Sequence, residues 1–349
     1  MKSLYLNYTD GRVVPQLAKL KVKNPMLLYR QLIKSIQHLL GLSTDDFLGF
    51  AQNVTTGVIY SLLPILEKNK NFKILVSAHE IRWYKKLFAR GVLPVEETTY
   101  PNYAGQKKIH FIKKSITVFD PRTFAARPDI FLSSKKPTMI IISHVSRLTG
   151  ELLITPMLYR AIKKINKENI VVVDGSQAVG AISVKPHLIS DIYIGLTSKF
   201  IGAEPHIAFY WVCSHVAVQY NIQPKSINPR LFSKEIYSAV HAMHNLKKRG
   251  INVSSIRRYL EKSFKKNHIP FLVLPNGQKH IFLIPVAKRS IPSTLKELEQ
   301  KGIIISSNIS YSMREPNHSC LRIAITPHLK KKDVDYVVKA FGLLKNGLG

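Results

Sequence analysis

A carboxylate and an amine stand at the ends of two short apolar runs in this chain. Asp174 closes the β-branched run at residues 171–173, and Lys199 follows the apolar segment 192–196. Apolar runs without polar alternation are typical of parallel strands that are buried on both faces. Because sites in open α/β sheets lie at the carboxyl ends of strands, we expect both side chains to line one crevice.

Pyridoxal phosphate chemistry uses this pair of residue types. A lysine forms a Schiff base with the cofactor aldehyde, and an aspartate keeps the pyridinium nitrogen protonated, so that the ring acts as an electron sink. An ordinary Asp–Lys pair at the edge of a sheet is the alternative, because strands that end in aspartate are common in α/β folds. The spacing of Asp174 and Lys199 does not by itself decide between a cofactor site and an ordinary ion pair.

Four segments together resemble the class V aminotransferase and cysteine desulfurase family, which has fold type I of the pyridoxal phosphate enzymes. They are Tyr5-Leu6-Asn7-Tyr8; Asn53-Val54-Thr55-Thr56-Gly57; Ser143-His144-Val145-Ser146-Arg147-Leu148-Thr149-Gly150 with residues 173–180; and Leu321-Arg322-Ile323-Ala324 with residues 333–335. Their order and spacing agree with the family over nearly the whole chain. The resemblance implies an α/β fold, with a mostly parallel seven-stranded sheet in a large domain and a smaller α+β domain.

The same resemblance implies the domain limits and one strand direction. Residues 1–35 return to the small domain, residues 36–225 form the large cofactor-binding domain, and residues 226–349 form the C-terminal small domain. The strand near residues 207–212 is expected to run antiparallel to its neighbours.

The resemblance also assigns site residues. Lys199 is the Schiff-base lysine and the general base, Asp174 lies at the ring nitrogen, and Gln177 lies near the ring hydroxyl. Arg322 binds the substrate α-carboxylate. Further cofactor contacts are implied for Thr55, Thr56, His79 and Ser198, and further substrate contacts for Asn53 and Arg147.

Two of these positions depart from the family. Ser198 stands where a histidine often helps to hold the cofactor phosphate, and a hydroxyl can bond phosphate but brings no cation. Arg147 stands where desulfurases usually have asparagine, close to the ring and the substrate. An arginine there either binds a substrate carboxylate bidentately or abolishes the usual geometry.

Two further site elements follow from local patterns. Thr55 and Thr56 open a predicted helix, and a helix N-terminus attracts phosphate through its unpaired N–H groups and its dipole. The alternative is that Thr55 simply caps this helix. His79 comes just past the predicted strand 73–77, from where the family stacks a ring on the cofactor, and Trp83 is another aromatic residue nearby.

The leading hypothesis is an enzyme that acts on an amino acid or amine through a Lys199 aldimine. Transamination, C–S or β-elimination and epimerisation all remain open. Persulfide-forming desulfuration needs a nucleophilic thiol on a mobile loop, whereas Cys320 stands two residues before Arg322 inside a predicted strand. Because burial in apolar surroundings raises a thiol pKa and lowers its reactivity, we do not expect a cysteine desulfurase.

Composition limits the other classes of protein. The chain has 349 residues, 45% of them hydrophobic, which is enough for one large core and a smaller one. The two cysteines give no disulfide framework and no metal-ligand spacing. No long apolar run or signal-peptide pattern is present, so we expect a cytoplasmic protein without a membrane span.

The net charge of +31 is the feature that a plain metabolic enzyme does not explain. The cations are scattered in short clusters, and no signature of a nucleic-acid-binding domain is visible, so we do not expect a nucleic-acid partner. An acidic carrier protein that delivers the substrate is one explanation. A family relative that has lost catalysis and works as a basic binding protein for an acidic partner is the alternative function. The resemblance also implies a homodimer.

Overall fold

The computed structural model describes residues 4–5, 24–69, 72–79, 92–93, 109–110, 116–250, 253–274, 277, 280–308, 319–326 and 329–344. A seven-stranded sheet forms its centre, and its strands, in chain order, are β2 (Phe47–Ala51), β3 (Lys73–Ser77), β6 (Ile116–Phe119), β7 (Thr138–Ser143), β8 (Ile170–Asp174), β9 (Ile192–Leu196) and β10 (Ala208–Val212). Their order across the sheet is β2-β10-β9-β8-β7-β3-β6. The predicted α/β fold with a mostly parallel sheet of seven strands is therefore confirmed.

The central strands are buried on both faces, as their apolar runs predict. In β7, Ile140 and Ile142 belong to one hydrophobic cluster, whereas Met139 and Ile141 belong to the cluster on the opposite face. Strands β8 and β9 divide their side chains between the same two clusters. A sheet covered on both sides exposes only its edges and strand ends, so a polar site can form only there.

Strand β10 runs antiparallel to both of its neighbours, as predicted. Ala208 pairs with Leu196 of β9 on one side and with Ala51 of β2 on the other. Strand β2 therefore points in the same direction as β9. The carboxyl ends of β2, β3 and β6 to β9 consequently lie along one edge of the sheet.

Nine α-helices lie within the described residues: α1 (Pro25–Leu40), α2 (Val54–Lys68), α3 (Pro121–Ala126), α4 (Pro156–Ile165), α5 (Ser214–Tyr220), α6 (Ser233–Arg249), α7 (Ser254–Lys266), α8 (Ile291–Gln300) and α9 (Lys331–Leu343). Helix α2 begins at Val54, so Thr55 and Thr56 lie in its first turn, as predicted. Helix α1 begins at a proline behind the cap Asn24 and ends at Gly41, which has a φ of +64°. None of the described helices is long and apolar enough to cross a bilayer.

The C-terminal part contains a second, antiparallel sheet. Its order is β11-β14-β13, formed by β11 (Ile281–Val286), β14 (Ser319–Ala324) and β13 (Ser306–Asn308). One face packs on α7 and α9 through apolar side chains that include Phe264, Phe282 and Phe341. The other face contributes Cys320 and Ala324 to a cluster with residues that follow β8 and β9.

Four short strands form two further pairs within the described residues. Strand β1 (Leu4–Tyr5) pairs in parallel with β12 (Ile303–Ile304), and β4 (Val92–Leu93) pairs with β5 (Ile109–His110). The predicted limits of the three domain segments remain a prediction. Helix α1 is continuous across the limit placed between residues 35 and 36, and most of the segment before it lies outside the described residues.

Candidate active site

Asp174 and Lys199 lie at the same edge of the main sheet. Asp174 is the last residue of β8 and is paired with Ser143 of β7 on one side and with Ile194 of β9 on the other. Lys199 follows three residues after the end of β9 at Leu196. The expectation that the two side chains share one edge agrees with the structure.

The loop after β8 holds Asp174 in a fixed position. The Asp174 carboxylate accepts a hydrogen bond from the backbone N–H of Ser176 at 2.9 Å, and its side chain is buried. Gly175 lies against the Tyr193 ring so closely that a Cβ at this position would be 2.1 Å from the tyrosine hydroxyl oxygen. Only glycine can therefore occupy position 175.

The loop after β9 is tied to the start of β10 and contacts the loop after β8. The Thr197 hydroxyl donates to the Ile207 carbonyl at 3.1 Å, and Gly202 donates to the Lys199 carbonyl at 3.0 Å. Gly180 has a φ of +81°, and a Cβ there would be 2.7 Å from the Ile201 nitrogen. This close approach brings the Asp174 loop and the Lys199 loop together, and Lys199 is buried.

Two side chains next to Asp174 have buried polar atoms without a hydrogen-bond partner among the described residues. They are the hydroxyl of Ser176 and both amide atoms of Gln177. An unpaired buried polar group costs about 1–3 kcal/mol, and native structures contain few of them. A cofactor with polar substituents would pair these atoms, so the residues present fit a bound group at this place.

His144 has a structural role. Its ring is buried, its Nδ1 lies 3.0 Å from the Tyr193 hydroxyl, and the two rings meet edge to face. Burial lowers the pKa of His144 to about 3, so the imidazole is neutral. Burial, and then the Asp174 carboxylate, raises the pKa of Tyr193 well above its usual value.

His79 lies half-buried at the same edge, beyond the end of β3. Its Nδ1 is 3.1 Å from the Ser146 hydroxyl oxygen, which also accepts from the N–H groups of Leu148 and Thr149. Because that oxygen already accepts two bonds, its proton is the one donated to Nδ1. Burial lowers the pKa of His79, so the ring is neutral and available for stacking. Trp83 lies outside the described residues.

The N-terminus of α2 reaches this edge because β2 runs parallel to β9. Asn53 caps the helix: its side-chain oxygen accepts from the Thr56 N–H at 2.8 Å and from the Thr56 hydroxyl at 3.0 Å. The alternative that Thr55 caps the helix is therefore wrong. Thr55 lies inside the first turn, where helix N–H groups have no intrahelical partner and only the Thr56 N–H is seen to be capped by Asn53 among the described residues.

Arg322 joins the C-terminal sheet to the loop after β7. Its guanidinium donates to the backbone carbonyl of Arg147 and, through Nε, to the Ser306 hydroxyl at 3.1 Å. The Arg322 side chain is almost completely buried, whereas Arg147 is half-exposed. The two arginines that were predicted to bind substrate are thus brought together.

Cys320 shares the Arg322 face of β14, as the alternation of a strand requires. It is buried in an apolar cluster with Phe200, Ile281 and Leu283. Burial raises the pKa of Cys320 to about 11, as expected from the sequence. The thiol is therefore protonated and held in a strand.

The second cysteine lies at the opposite edge of the sheet. Cys213 Sγ is 3.9 Å from Asp191 Oδ1 and 3.8 Å from His215 Nε2. The Asp191 carboxylate already accepts from the Tyr159 hydroxyl at 2.8 Å and from the Lys163 ammonium at 3.1 Å. Since the carboxylate is neutralised by a lysine, we interpret this cluster as a structural ion pair.

Sequence reasoning missed two groups near the site. Glu151 is buried and takes a bidentate pair of hydrogen bonds from Arg122, both at 2.9 Å from Nη2. His280, which directly precedes β11, lies 2.9 Å from the Gln177 carbonyl oxygen. No local pattern in the sequence indicates either contact, because both join residues that are far apart along the chain.

No protein-family model matches the sequence, and neither does any curated protein. Solved structures do match it. A NifS-like protein superposes with a TM-score of 0.72 at 15% identity and 99% coverage of both chains. The cysteine desulfurase CsdA from Escherichia coli superposes with a TM-score of 0.73 at 12% identity, over 99% of this chain and 95% of CsdA.

The chain has the fold of the NifS-like proteins. This is fold type I of the pyridoxal phosphate enzymes, so the resemblance drawn from the four sequence segments is confirmed at the level of fold. The cystine C–S lyase C-DES, in complex with its product cysteine persulfide, also matches, with a TM-score of 0.70 at 15% identity and 97% coverage of both chains. A second C-DES structure, of a lysine-to-alanine variant, has glycine covalently linked to the pyridoxal phosphate cofactor.

Proposed function

We propose that this chain is a pyridoxal phosphate-dependent enzyme that acts on an amino acid or an amine. The observation that carries the proposal is the buried amide of Gln177, which has no hydrogen-bond partner among the described residues and belongs to the loop that joins Asp174 to the Lys199 loop at Gly180. An ordinary Asp–Lys pair at a sheet edge does not account for that amide. The cofactor-bearing C-DES structure, which has the same fold, supports the proposal.

The residues that would hold the cofactor come from separate elements at one edge. Lys199 would tether it covalently, Asp174 would hold the proton on the ring nitrogen, and Gln177 would pair with the ring hydroxyl. The neutral His79 ring would cover one face. Phosphate contacts are proposed for Thr55, Thr56 and Ser198, with the N–H groups of Val54 and Thr55 at the start of α2 supplying further donors.

When bound, pyridoxal phosphate supplies an electron sink for bonds at the substrate α-carbon. Lys199 Nζ then moves the proton at that carbon, because an amine already held in reach serves as a general base without further ordering cost. The negative charge of the Asp174 carboxylate balances the proton on the ring nitrogen, at the end of the site away from Lys199. The buried surroundings of both residues exclude water from the reacting atoms.

Substrate binding is proposed for three residues. Arg322 would take the α-carboxylate, and Arg147 would take a second carboxylate bidentately. The Arg322 contact with the Arg147 carbonyl supports a shared location for the two. Asn53 already accepts from Thr56 through its oxygen, which leaves its Nδ2 group as the donor toward a substrate.

The reaction proposed is transamination, elimination of the C–S or β type, or epimerisation. The buried, protonated Cys320 in strand β14 does not support persulfide formation on this thiol. Several structural neighbours are nonetheless cysteine desulfurases, so cysteine belongs among the substrates to be tested. The C–S lyase C-DES shows that the same fold also hosts elimination.

The proposed function is tested by cofactor binding to the purified protein. Incubation with pyridoxal phosphate should give a visible absorption band that survives dialysis, and Lys199→Ala should abolish it. Lys185→Ala, which changes an exposed lysine, is the matched control. A colourless protein that takes up no cofactor, yet stays on a polyanion column at high salt, would instead support the alternative of a basic binding protein.

An acidic carrier protein is proposed as the source of the substrate, because a net charge of +31 attracts acidic surfaces. If the carrier docks through charge, moderate salt should suppress turnover of the carrier-bound substrate. Turnover of the free amino acid should remain unchanged. Equal salt sensitivity of both substrates would argue against a carrier.

A homodimer is also proposed. Helices α1 and α6 pack together and enclose a groove of about 780 Å³ with an apolar floor that includes Leu28, Val240 and Met243. Leu27 and Leu231, on or beside these helices, are 52% and 57% exposed. A second copy would cover this apolar surface. Light scattering should give twice the chain mass, and a monomeric mass would contradict the proposal.

A further inference from the structure

His280 connects the C-terminal sheet to the loop that carries Gln177. Its side chain is completely buried, and its Nε2 lies 2.9 Å from the Gln177 carbonyl oxygen. The His280 carbonyl accepts from the Ile325 N–H at 2.7 Å, which extends the pairing of β11 and β14 by one residue. The histidine is thus fixed to a rigid sheet while its ring holds the main chain of a distant loop.

The same ring packs against the loop of Lys199. His280 meets the Phe200 ring edge to face, with 4.7 Å between the ring centroids and 80° between the planes. Phe200 directly follows Lys199 and is completely buried. His280 therefore contacts both loops that form the centre of the candidate site.

The protonation state of His280 follows from its partner. A carbonyl oxygen can only accept, so Nε2 carries the proton and Nδ1 has a lone pair. Burial lowers the pKa of His280 to about 4, so the ring is neutral near pH 7. Nδ1, like the Gln177 amide, has no hydrogen-bond partner among the described residues. A buried polar atom without a partner costs free energy, so its presence in a folded protein calls for an explanation, such as a site that must be held in one geometry.

We propose that His280 is a positioning residue: by holding the Gln177 carbonyl, it fixes the loop so that the Gln177 amide stays available to the ring hydroxyl of the cofactor. The inference rests on the proposed function, since it assigns Gln177 a cofactor to bind. His280 acts through Gln177 and does not itself touch the reacting atoms.

A double-mutant cycle with pyridoxal phosphate as the ligand tests the inference. The variants are His280→Ala, Gln177→Ala and the double variant, with dissociation constants from titration of the visible band. His280→Gln places an amide N–H near the position of the imidazole Nε2, which is the atom that bonds the carbonyl. Leu298→Ala is the control for lost stability, because Leu298 is buried in the C-terminal core away from Gln177.

His280→Ala should weaken cofactor binding about tenfold, in line with the loss of a buried hydrogen bond, and His280→Gln should recover most of this loss. The double variant should bind about as weakly as Gln177→Ala alone, because coupled residues are not additive. If the losses of cofactor affinity in the two single variants multiply in the double variant, the inference is overturned. It is also overturned if Leu298→Ala loses as much cofactor affinity as His280→Ala when the two variants have the same melting temperature.

Hydrogen exchange supplies a readout that needs no cofactor. His280→Ala should speed amide exchange in residues 176–182, whose turns donate to the carbonyls of Gly175 and Ala178. Leu298→Ala should not. Faster exchange in a protein that binds no pyridoxal phosphate would leave His280 as the holder of this loop but refute the proposed function. Unchanged exchange would refute the positioning role even if the wild-type protein binds cofactor.

Discussion

The Arg322 guanidinium donates through Nη1 to the backbone carbonyl of Arg147, so a residue of the C-terminal sheet is bonded to the loop that follows β7. The same loop contacts His79 through Ser146, whose hydroxyl oxygen lies 3.1 Å from the imidazole Nδ1. A continuous set of contacts therefore runs from β14 to the end of β3. Substrate-binding and cofactor-covering side chains would be positioned by one loop.

Arg322→Lys should lower kcat/KM for an amino acid substrate by about a hundredfold while cofactor binding changes little. Lysine keeps the charge but loses the planar fork, and charge-assisted hydrogen bonds contribute about 1.5–3 kcal/mol. Steady-state kinetics and a cofactor titration measure the two effects. Arg230→Lys, at an exposed arginine, is the control. If cofactor affinity falls as much as kcat/KM and the melting temperature falls as well, the role of Arg322 is purely structural.

Arg147→Asn should reduce the preference for dicarboxylic over neutral amino acids by about tenfold or more, because a bidentate carboxylate partner is removed. The ratio of kcat/KM for aspartate or glutamate to that for alanine measures this preference. Arg147→Lys should retain part of it. If the ratio is the same in all three proteins, Arg147 does not bind a substrate anion.

Cys320→Ala should leave sulfur release from cysteine unchanged if the protein catalyses such release. The thiol has a pKa raised to about 11 by burial and is held within β14, so it is a poor nucleophile. Sulfide production per mole of protein is the measurement, with Cys213→Ala as the matched control. Loss of release in the Cys320 variant alone, with its fold intact, would show a persulfide mechanism.

Stability should fall as the pH is lowered from about 6.5 toward about 4. Burial depresses the pKa of His144 to about 3 and of His280 to about 4, against about 6.5 in an unfolded chain. In this window the unfolded chain binds protons that the folded protein excludes, so the stabilisation is complete above pH 6.5 and is lost on acidification. Each pH unit corresponds to about 1.4 kcal/mol per group.

Chemical denaturation at a series of pH values measures this slope. His144→Gln should flatten it, because one of the two depressed groups is removed. His187→Gln, at an exposed histidine, should leave it unchanged. A stability that is constant between pH 7 and pH 4.5 in the wild-type protein would contradict the assignment of both histidines as buried and neutral.

Much of the fold could be predicted because it is encoded locally. Unbroken apolar runs at residues 171–173 and 192–196 predicted buried parallel strands, and Asp174 and Lys199 could be placed because they follow these runs within three residues. The antiparallel direction of β10 came from resemblance alone. Periodicity could not have provided it, since a buried strand reads the same in either direction.

The contacts that shape the candidate site could not be predicted in the same way. The His280 bond to Gln177 joins residues 103 positions apart, and Arg122 reaches Glu151 across 29 positions. No local sequence pattern marks His280 or Arg122, because an isolated histidine or arginine can lie on the surface, in the core or in a functional site. The alternative that Thr55 caps α2 is wrong for a similar reason: asparagine and threonine are both good caps, and only the backbone shows that Asn53, two residues earlier, is the one used.

The most direct test of the account is the location of the cofactor on the chain. The protein should be loaded with pyridoxal phosphate, reduced with borohydride, digested and analysed by mass spectrometry. The phosphopyridoxyl group is expected on Lys199 and on no other lysine in stoichiometric amount. Labelling spread over the many exposed lysines, with Lys199 unmodified, would contradict the account.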